Sequence, residues 1–214
     1  MNQIDKGNLG IYLVIDPSME EDQLILALEK AVSAKPCAVQ VWDNFRSQSL
    51  APSLLCKIKS ICRGVGVPIL INNHPEWAEL FDLEGVHFDE LPTGYSVLIQ
   101  NLKRLGKVIG VTVNNDLDLI RKVIIEQVDY LSFCSIFPSS TATSCELVDF
   151  DVIKKTRELT SIPIFLAGGI STENIKELEP LDFDGIAVIS GVMKAQDPGK
   201  AIFDYHQQLK NLQR

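Results

Sequence analysis

The sequence predicts an α/β fold in which eight parallel strands alternate with helices and close into a (β/α)8 barrel. Eight short apolar runs follow one another along the 214 residues, and most are continuous, as in parallel strands buried on both faces. Segments with helical periodicity separate these runs, which is typical of βα repeats. No G-x-G-x-x-G motif follows the first run, which weakens the alternative of an open dinucleotide-binding sheet. The length suits one TIM barrel domain spanning residues 1–214.

Strands and helices can be placed from the spacing of apolar residues. The predicted strands are Ile11–Ile15, Ala38–Val41, Pro68–Ile71, Gly85–Phe88, Val108–Val111, Tyr130–Phe133, Ile164–Ala167 and Gly185–Ile189. Three helices show a clear apolar face. These faces are Leu24, Leu28, Ala31 and Val32; Leu54, Leu55, Ile58, Ile61 and Cys62; and Leu117, Ile120, Val123 and Ile124. Cap-type residues at 171–174 and the Asp197-Pro198 pair predict two further helix starts.

Composition and charge limit the classes of partner. Acidic residues outnumber basic ones by 28 to 20, so the net charge is −8. Such a chain repels nucleic acid and anionic membranes, and we expect neither as a partner. The five cysteines have no C-x-x-C spacing, and the N-terminal residues have no signal-peptide pattern. We therefore expect a cytoplasmic protein without disulfides, a structural zinc site or a transmembrane segment.

Two glycine- and serine-containing turns near the C-terminus predict a phosphate site. Ala167-Gly168-Gly169-Ile170 follows strand 7, and Val188-Ile189-Ser190-Gly191 follows strand 8. In (β/α)8 barrels the loops after these two strands commonly bind phosphate. Backbone N–H groups there, close to helix starts, can hold a phosphate monoester without a lysine. The alternative is that these small residues only allow tight strand-to-helix packing.

The other strand ends carry amides, hydroxyls and carboxylates but few cations. Because barrel active sites lie at the carboxyl ends of the strands, these side chains are candidates for ligand contact. They are Asp16, Gln40, Asp43, Asn72, Asn73, His74, Asp89, Glu90, Thr112, Asn114 and Ser135. Their oxygen atoms suit a polar ligand and a Mg²⁺ ion. Each also has a structural alternative: a buried amide bonded to backbone, a turn, or a solvated carboxylate. His87, in the middle of a strand, is interpreted as a core histidine.

The motifs at the strand ends occur in a characteristic order. They are Val39-Gln40, Leu70-Ile71-Asn72-Asn73, Gly85-Val86-His87-Phe88, Ile109-Gly110-Val111-Thr112, the Ile136–Thr141 segment, Ala167-Gly168-Gly169-Ile170 and Val188-Ile189-Ser190. From Ile11 to Met193 this order resembles the thiamine phosphate synthase / TenI family of small TIM barrels. The resemblance implies a transferase that joins hydroxymethylpyrimidine diphosphate to thiazole phosphate and releases pyrophosphate, and it implies a homodimer.

The resemblance also implies a role for particular residues. It assigns Gln40 and Asn72 to the pyrimidine and Thr141 to pyrophosphate. It assigns Asn73 and Asp89 to the Mg²⁺ side of the site. It assigns the phosphorylated thiazole to the residues after strands 7 and 8, which are Gly168, Gly169, Ile189 and Ser190. It assigns no catalytic acid or base.

Departures from the family pattern keep two other hypotheses open. Val41-Trp42-Asp43-Asn44, directly after Gln40, contains no cation, Asn73 replaces the family's Mg²⁺ aspartate, and Ala142 replaces its lysine. The family's thiazole tautomerases use a histidine where this chain has Asn114. An isomerase of that kind, with His74 as the acid–base group, is one alternative. A non-catalytic protein that binds a phosphorylated ligand is the other.

Overall fold

The computed structural model describes residues 10–138 and 146–212. Its eight strands pair in parallel in the order of the chain, and the last strand pairs with the first. The barrel is therefore closed, which confirms the predicted (β/α)8 architecture. Within the described residues, no helix combines the length and the apolarity that a bilayer span requires.

The strands lie within one or two residues of their predicted bounds. They are β1 Gly10–Ile15, β2 Ala38–Val41, β3 Ile69–Asn72, β4 Gly85–Phe88, β5 Val108–Thr112, β6 Tyr130–Phe133, β7 Ile164–Ala167 and β8 Gly185–Val188. Strand β3 begins after Pro68, which has no N–H to donate to a neighbouring strand. It extends to Asn72, so this polar side chain belongs to the strand and is fully buried.

Helices follow the strands with one difference from the expectation. They are α1 Glu21–Ser33, α2 Ala51–Gly64, α3 Pro75–Leu80, α4 Tyr95–Arg104, α5 Leu117–Ile125, α6 Phe150–Leu159, α7 Ser190–Met193 and α8 Pro198–Leu212. After β7 the chain forms only a 3₁₀ helix, Ile175–Leu178. The cap-type residues predicted a helix start at 171, but the Asn174 side chain folds back to accept the Ser171 N–H and to donate to the Gly169 carbonyl. These contacts delay the start of the helix.

Alternate side chains of each strand enter two separate apolar clusters. Ile11, Leu13 and Ile15 of β1 point outward and pack against the helices in the main core. Tyr12 and Val14 point inward and join a smaller cluster inside the barrel. This alternation follows from the two-residue side-chain period of a strand. It separates the side chains inside the barrel from those that pack against the helices.

Three carboxylates at the amino ends of the strands form a repeated contact. Glu84, Asp129 and Asp184 immediately precede β4, β6 and β8. Each accepts a backbone N–H from near the start of the preceding strand, at 2.8–2.9 Å. Burial raises the pKa of Asp129, as expected for a carboxylate in such a place. Three of the four even-numbered strands, β4, β6 and β8, are thus tied to the preceding strand at the end opposite the candidate active site.

Replacing Asp184 is expected to destabilise the barrel. Asp184 accepts the Ile164 N–H and also binds Arg157. Asp184→Ala leaves the Ile164 N–H without its acceptor and removes the shortest contact of Arg157, which keeps only longer hydrogen bonds to backbone carbonyls. The expected cost is about 1–3 kcal/mol of unfolding free energy. Urea unfolding measures this. Asp182→Ala is the matched control, since the Asp182 side chain is 79% exposed and lies 3.6 Å from Arg157. Equal midpoints for the two variants would contradict the anchoring role.

Candidate active site

Strand ends on the carboxyl side of the barrel carry the predicted site residues in two groups. Gln40, Asn72, Asn73 and Asp89 are joined by hydrogen bonds at the ends of β2, β3 and β4. The second group follows the paired strands β7 and β8 and consists of Gly168, Gly169, Ile189 and Ser190. Thr141, predicted to contact pyrophosphate, lies outside the described residues.

Gln40 and Asn72 form a buried amide pair. Gln40 is 5% exposed and Asn72 is not exposed at all. The Gln40 Nε2 donates to the Asn72 Oδ1, and the Asn72 Nδ2 donates to the Asp89 Oδ2 at 2.7 Å. A buried amide is costly unless it is hydrogen-bonded, and here each amide has a partner for its nitrogen and its oxygen. The pair is therefore held in one arrangement before any ligand binds.

Asn73 bridges two carboxylates through its side-chain nitrogen. Its Nδ2 donates to the Asp43 Oδ2 at 2.8 Å and to the Asp89 Oδ2 at 3.1 Å. Its Oδ1 accepts the backbone N–H of Asp89 at 2.9 Å. Because an N–H only donates and a carboxylate only accepts, these contacts fix which way the amide points. A left-handed backbone conformation, with φ of 55°, turns Asn73 toward both partners.

This geometry does not suit a magnesium ion held jointly by Asn73 and Asp89. Magnesium takes oxygen ligands in a near-octahedral shell. The Asn73 nitrogen lies where a cation bridging Asp43 and Asp89 would lie, and the Asn73 oxygen is turned to a backbone N–H. Residues 10–138 and 146–212 also contain no cluster of three or more His, Cys, Asp or Glu side chains suited to a metal. The predicted magnesium site stays a prediction, and we derive no step through it.

His74 is held against an aromatic cluster beside the barrel mouth. Its ring stacks on Trp77 with centroids 4.4 Å apart, and Trp77 also contacts Phe45 and Phe81. The His74 Nδ1 lies 2.9 Å from the Glu76 carboxylate. The Nε2 is thus the ring nitrogen left for proton transfer, and the structure shows no contact of His74 with the amide pair.

Asn114 and Asn115 serve to tie loops together. The Asn114 Oδ1 accepts the Cys134 N–H at 2.7 Å, which links the end of β5 to the end of β6. Asn115 donates to the Leu147 carbonyl and accepts the Asp149 N–H. In the family resemblance, Asn114 stands where the thiazole tautomerases have a histidine. Here its amide oxygen accepts the Cys134 N–H. This arrangement gives no support to acid–base chemistry there.

Gly168 and Gly169 are required by both backbone conformation and space. Their backbone φ angles are 89° and 68°, a region that residues other than glycine rarely adopt. A Cβ at Gly168 would lie 2.4 Å from the Ser135 nitrogen, and one at Gly169 would lie 2.6 Å from the Phe137 carbonyl oxygen. The glycines therefore pack against the segment after β6, which confirms the packing interpretation, while the phosphate site stays a prediction. Their carbonyls accept hydrogen bonds from Phe137 N and Asn174 Nδ2.

A tyrosine from the last helix joins the two turns of the predicted phosphate site. The Tyr205 hydroxyl donates to the Ile170 carbonyl at 3.0 Å, and it lies against Gly191. It therefore contacts the turn after β7 and the turn after β8. Sequence reasoning missed this residue. The spacing of Ile202, Tyr205 and Leu209 indicates a buried helix face but carries no signal for the partner of the hydroxyl.

Four further polar side chains meet inside the barrel, where only a core histidine was expected. Tyr12 donates to Gln40 at 2.8 Å, and the Tyr12 and Tyr130 hydroxyls are 2.7 Å apart. The His87 Nδ1 lies 2.8 Å from the Tyr130 hydroxyl, and the His87 Nε2 lies 2.9 Å from the Thr112 hydroxyl. Burial lowers the pKa of His87 to about 4, against the opposing effect of Asp89, and burial raises the pKa of both tyrosines. All three groups are neutral near pH 7.

Comparisons with known proteins show which family the chain resembles. A family model described as thiamine monophosphate synthase matches residues 11–192. A thiamine-phosphate synthase of Halorhodospira halophila is 30% identical over 204 residues, covering 94% of each chain. One of Picrophilus torridus is 26% identical over 203 residues, covering 95% of this chain and 98% of the relative.

Solved structures show the same fold. Thiamine phosphate pyrophosphorylase from Pyrococcus furiosus superposes with a TM-score of 0.80 at 22% identity, covering 95% of this chain and 96% of that one. The 3-hexulose-6-phosphate synthase from Salmonella typhimurium gives a TM-score of 0.73 at 22% identity, covering 95% and 99%. The family match spans nearly the whole barrel and includes every described strand end discussed above. The chain therefore belongs to the thiamine monophosphate synthase family.

Proposed function

We propose that this protein is a transferase that condenses hydroxymethylpyrimidine diphosphate with thiazole phosphate, giving thiamine phosphate and pyrophosphate. The carbon–oxygen bond to the diphosphate breaks, and the thiazole nitrogen supplies the electron pair for the new carbon–nitrogen bond. The family match along the barrel carries the proposal, since the relatives named above are thiamine-phosphate synthases. The buried amide pair and the turns after β7 and β8 give the two substrates separate places.

Gln40 and Asn72 are the proposed contacts of the pyrimidine. Each amide nitrogen uses one N–H within the protein and retains a second for a ring nitrogen of the substrate. Their burial excludes water, which strengthens such contacts and makes a mismatched ring costly. The resemblance assigns the same two residues to the pyrimidine.

The proposed site of the thiazole phosphate consists of Gly168, Gly169, Ile189 and Ser190. Because β7 and β8 are paired, the turns that follow them are neighbours. The four-residue helix α7 begins at Ser190, so the first N–H groups of that turn have no acceptor within the helix. Together with the Ser190 hydroxyl they are donors for phosphate oxygens. The 3₁₀ helix after β7 is too short to contribute much helix dipole. Phosphate binding there would therefore depend on individual N–H and hydroxyl donors.

The pyrophosphate side of the site has few charged donors. Val41-Trp42-Asp43-Asn44 contains a carboxylate and no cation, and Ala142 stands in place of a lysine. Thr141 is the proposed hydroxyl contact for the departing pyrophosphate. Removing one donor aimed at developing charge slows a reaction about 100-fold or more. We therefore expect slow turnover compared with a relative that has the basic residues.

The direct test combines both substrates with Mg²⁺ and detects thiamine phosphate as fluorescent thiochrome. We expect product at about one hundredth of the rate of a relative that has the basic residues, assayed in parallel. We also expect the signal to be lost in Ser190→Ala combined with Gly169→Val. No product from folded protein would overturn the proposal. Thermal stabilisation by thiazole phosphate without turnover would instead favour the non-catalytic binding protein.

A cytoplasmic location and a homodimer are further parts of the proposal. Cys37, Cys56 and Cys62 are not in disulfides. Burial raises the pKa of the Cys37 and Cys62 thiols to about 12, so both are poor nucleophiles. Reduced cysteines of this kind suit a reducing compartment. The homodimer follows from the family resemblance.

A further inference from the structure

Hydrogen bonds inside the barrel form one continuous chain between two residues at its mouth. The first half runs from Asp89 through Asn72 and Gln40 to Tyr12. The second half runs from Tyr12 through Tyr130 and His87 to Thr112. We call this chain the interior relay. It starts and finishes at the carboxyl ends of the neighbouring strands β4 and β5, while its middle crosses the barrel interior.

The direction of the first half follows from Asp89. An ionised carboxylate only accepts, so the Asn72 atom facing Asp89 is the nitrogen, and the Asn72 oxygen faces Gln40. That oxygen requires a donor, which places the Gln40 nitrogen toward Asn72 and the Gln40 oxygen toward Tyr12. The Tyr12 hydroxyl proton is then committed to Gln40. Every amide orientation in this half is set by one charge.

The direction of the second half follows from that commitment. Since the Tyr12 proton points to Gln40, the Tyr130 hydroxyl must donate to the Tyr12 oxygen. The Tyr130 oxygen then accepts from His87, so the His87 Nδ1 carries a proton. A neutral histidine has one ring proton, which leaves the Nε2 as an acceptor for the Thr112 hydroxyl. The charge of Asp89 thus determines the tautomer of His87 through the whole length of the relay.

A separate distance agrees with this assignment. The His87 Nε2 lies 3.8 Å from the Asp89 Oδ1, beyond hydrogen-bond range. A protonated Nε2 would be expected to close that gap, because a buried N–H beside a carboxylate forms a strong bond. A nitrogen lone pair facing a carboxylate has no such attraction.

We infer that Tyr12, Tyr130 and His87 are positioning residues that hold the Gln40 and Asn72 amides in the orientation that Asp89 sets, and so keep the pair in the one orientation in which it binds an aminopyrimidine ring. The ligand class rests on the proposed function, whereas the relay itself does not. In the fixed orientation each amide offers a set pattern of donor and acceptor to the ring. A flipped amide would oppose donor to donor or acceptor to acceptor, which a buried site strongly rejects.

Aromatic packing holds the interior relay in place in addition to its hydrogen bonds. The Tyr130 ring fills the space that a side chain at Gly110 would need. It stacks on His87 and contacts both Tyr12 and Phe165. The aromatic rings therefore cannot move independently, and the hydroxyls stay in register.

The test is a ¹⁵N NMR measurement of the His87 tautomer near pH 7 in protein labelled at histidine. His74→Gln and His206→Gln variants assign the signals. We expect His87 to show a pyrrole-type Nδ1 and a pyridine-type Nε2, with or without substrate. The opposite tautomer in the wild-type protein would overturn the inference. This outcome does not depend on turnover, so it is distinct from failure of the proposed function.

Tyr12→Phe provides the second arm, because it cuts the relay without removing an aromatic ring. The Tyr130 proton is then free to point to the His87 Nδ1, and we expect the pyridine-type signal to move from Nε2 to Nδ1 or to be shared. In the synthase assay, KM for the pyrimidine diphosphate should rise about tenfold while KM for thiazole phosphate stays unchanged. Tyr95→Phe, at the start of α4, is the control. An unchanged His87 spectrum in Tyr12→Phe would contradict the relay.

Discussion

Gly191→Ala is expected to weaken both the barrel and the proposed phosphate site, and Tyr205→Phe is expected to restore part of both. A Cβ at Gly191 would lie 2.3 Å from the Tyr205 hydroxyl but 3.3 Å or more from the ring carbons. The methyl group therefore displaces the hydroxyl and breaks its bond to the Ile170 carbonyl. Overpacking and the lost bond together cost about 2–4 kcal/mol of unfolding free energy.

The double variant separates this contact from a general defect. Tyr205→Phe removes the atom that clashes, so Gly191→Ala with Tyr205→Phe should be more stable than Gly191→Ala alone. Urea unfolding of all four proteins measures the coupling, and inorganic phosphate titrated by calorimetry measures the site. Tyr205→Phe alone should lower phosphate affinity modestly, because the turn after β7 loses its brace. Additive stability changes would show that Tyr205 and Gly191 do not act together.

Most of the fold could be predicted because it depends on local patterns. Continuous apolar runs identify buried parallel strands. A closed barrel has no edge strand, so no strand needs the charged or proline residues that protect an exposed edge. The error at β3 has a physical cause. Asn72 is polar, so the apolar run ends at Ile71, yet the strand continues because the side chain has partners inside the barrel.

The active site could be predicted only as a set of strand ends. The structure brings Gln40, Asn72 and the two turns after β7 and β8 to one face of the barrel, where strand ends must lie, and their ligand contacts stay predictions. The interior relay was missed because its contacts join residues far apart in the chain. Tyr12 and Tyr130 are separated by 118 positions, and their inward direction looks the same in sequence as that of any buried aromatic residue. Periodicity indicates which face is buried, but not which hydroxyl meets which amide.

Asn73 illustrates a second limit of sequence reasoning. The family resemblance implies that an amide here replaces a carboxylate, and hence the loss of a metal ligand. It does not show that the amide nitrogen donates hydrogen bonds to both Asp43 and Asp89 and so bridges the two carboxylates. This bridge allows two carboxylates to lie close together without a cation between them.

Asn73→Asp is therefore expected to create a divalent cation site shared by residues 43, 73 and 89. The variant would place three carboxylates together, and without metal their repulsion should lower the melting temperature. Added Mg²⁺ should reverse the loss, because an ion at about one hundred times its dissociation constant stabilises a protein by about 2.7 kcal/mol. Thermal unfolding across a Mg²⁺ titration measures this, and Mn²⁺ binding followed by electron paramagnetic resonance gives the stoichiometry.

Asn44→Asp is the matched control, since it adds the same charge at the same mouth. Asn44 donates to Asp16 and does not bridge two carboxylates. If total negative charge decided cation binding, both variants would respond to Mg²⁺ alike. If position decides it, only Asn73→Asp should respond, and Asp89→Asn should abolish the response. A wild-type protein that binds Mn²⁺ as tightly as Asn73→Asp would show that the Asn73 amide yields its place to metal. If the wild-type protein binds no Mn²⁺ while Asn73→Asp does, the Asn73 amide takes the place of a bridging cation. Any Mg²⁺ needed in turnover must then be held by groups other than Asn73.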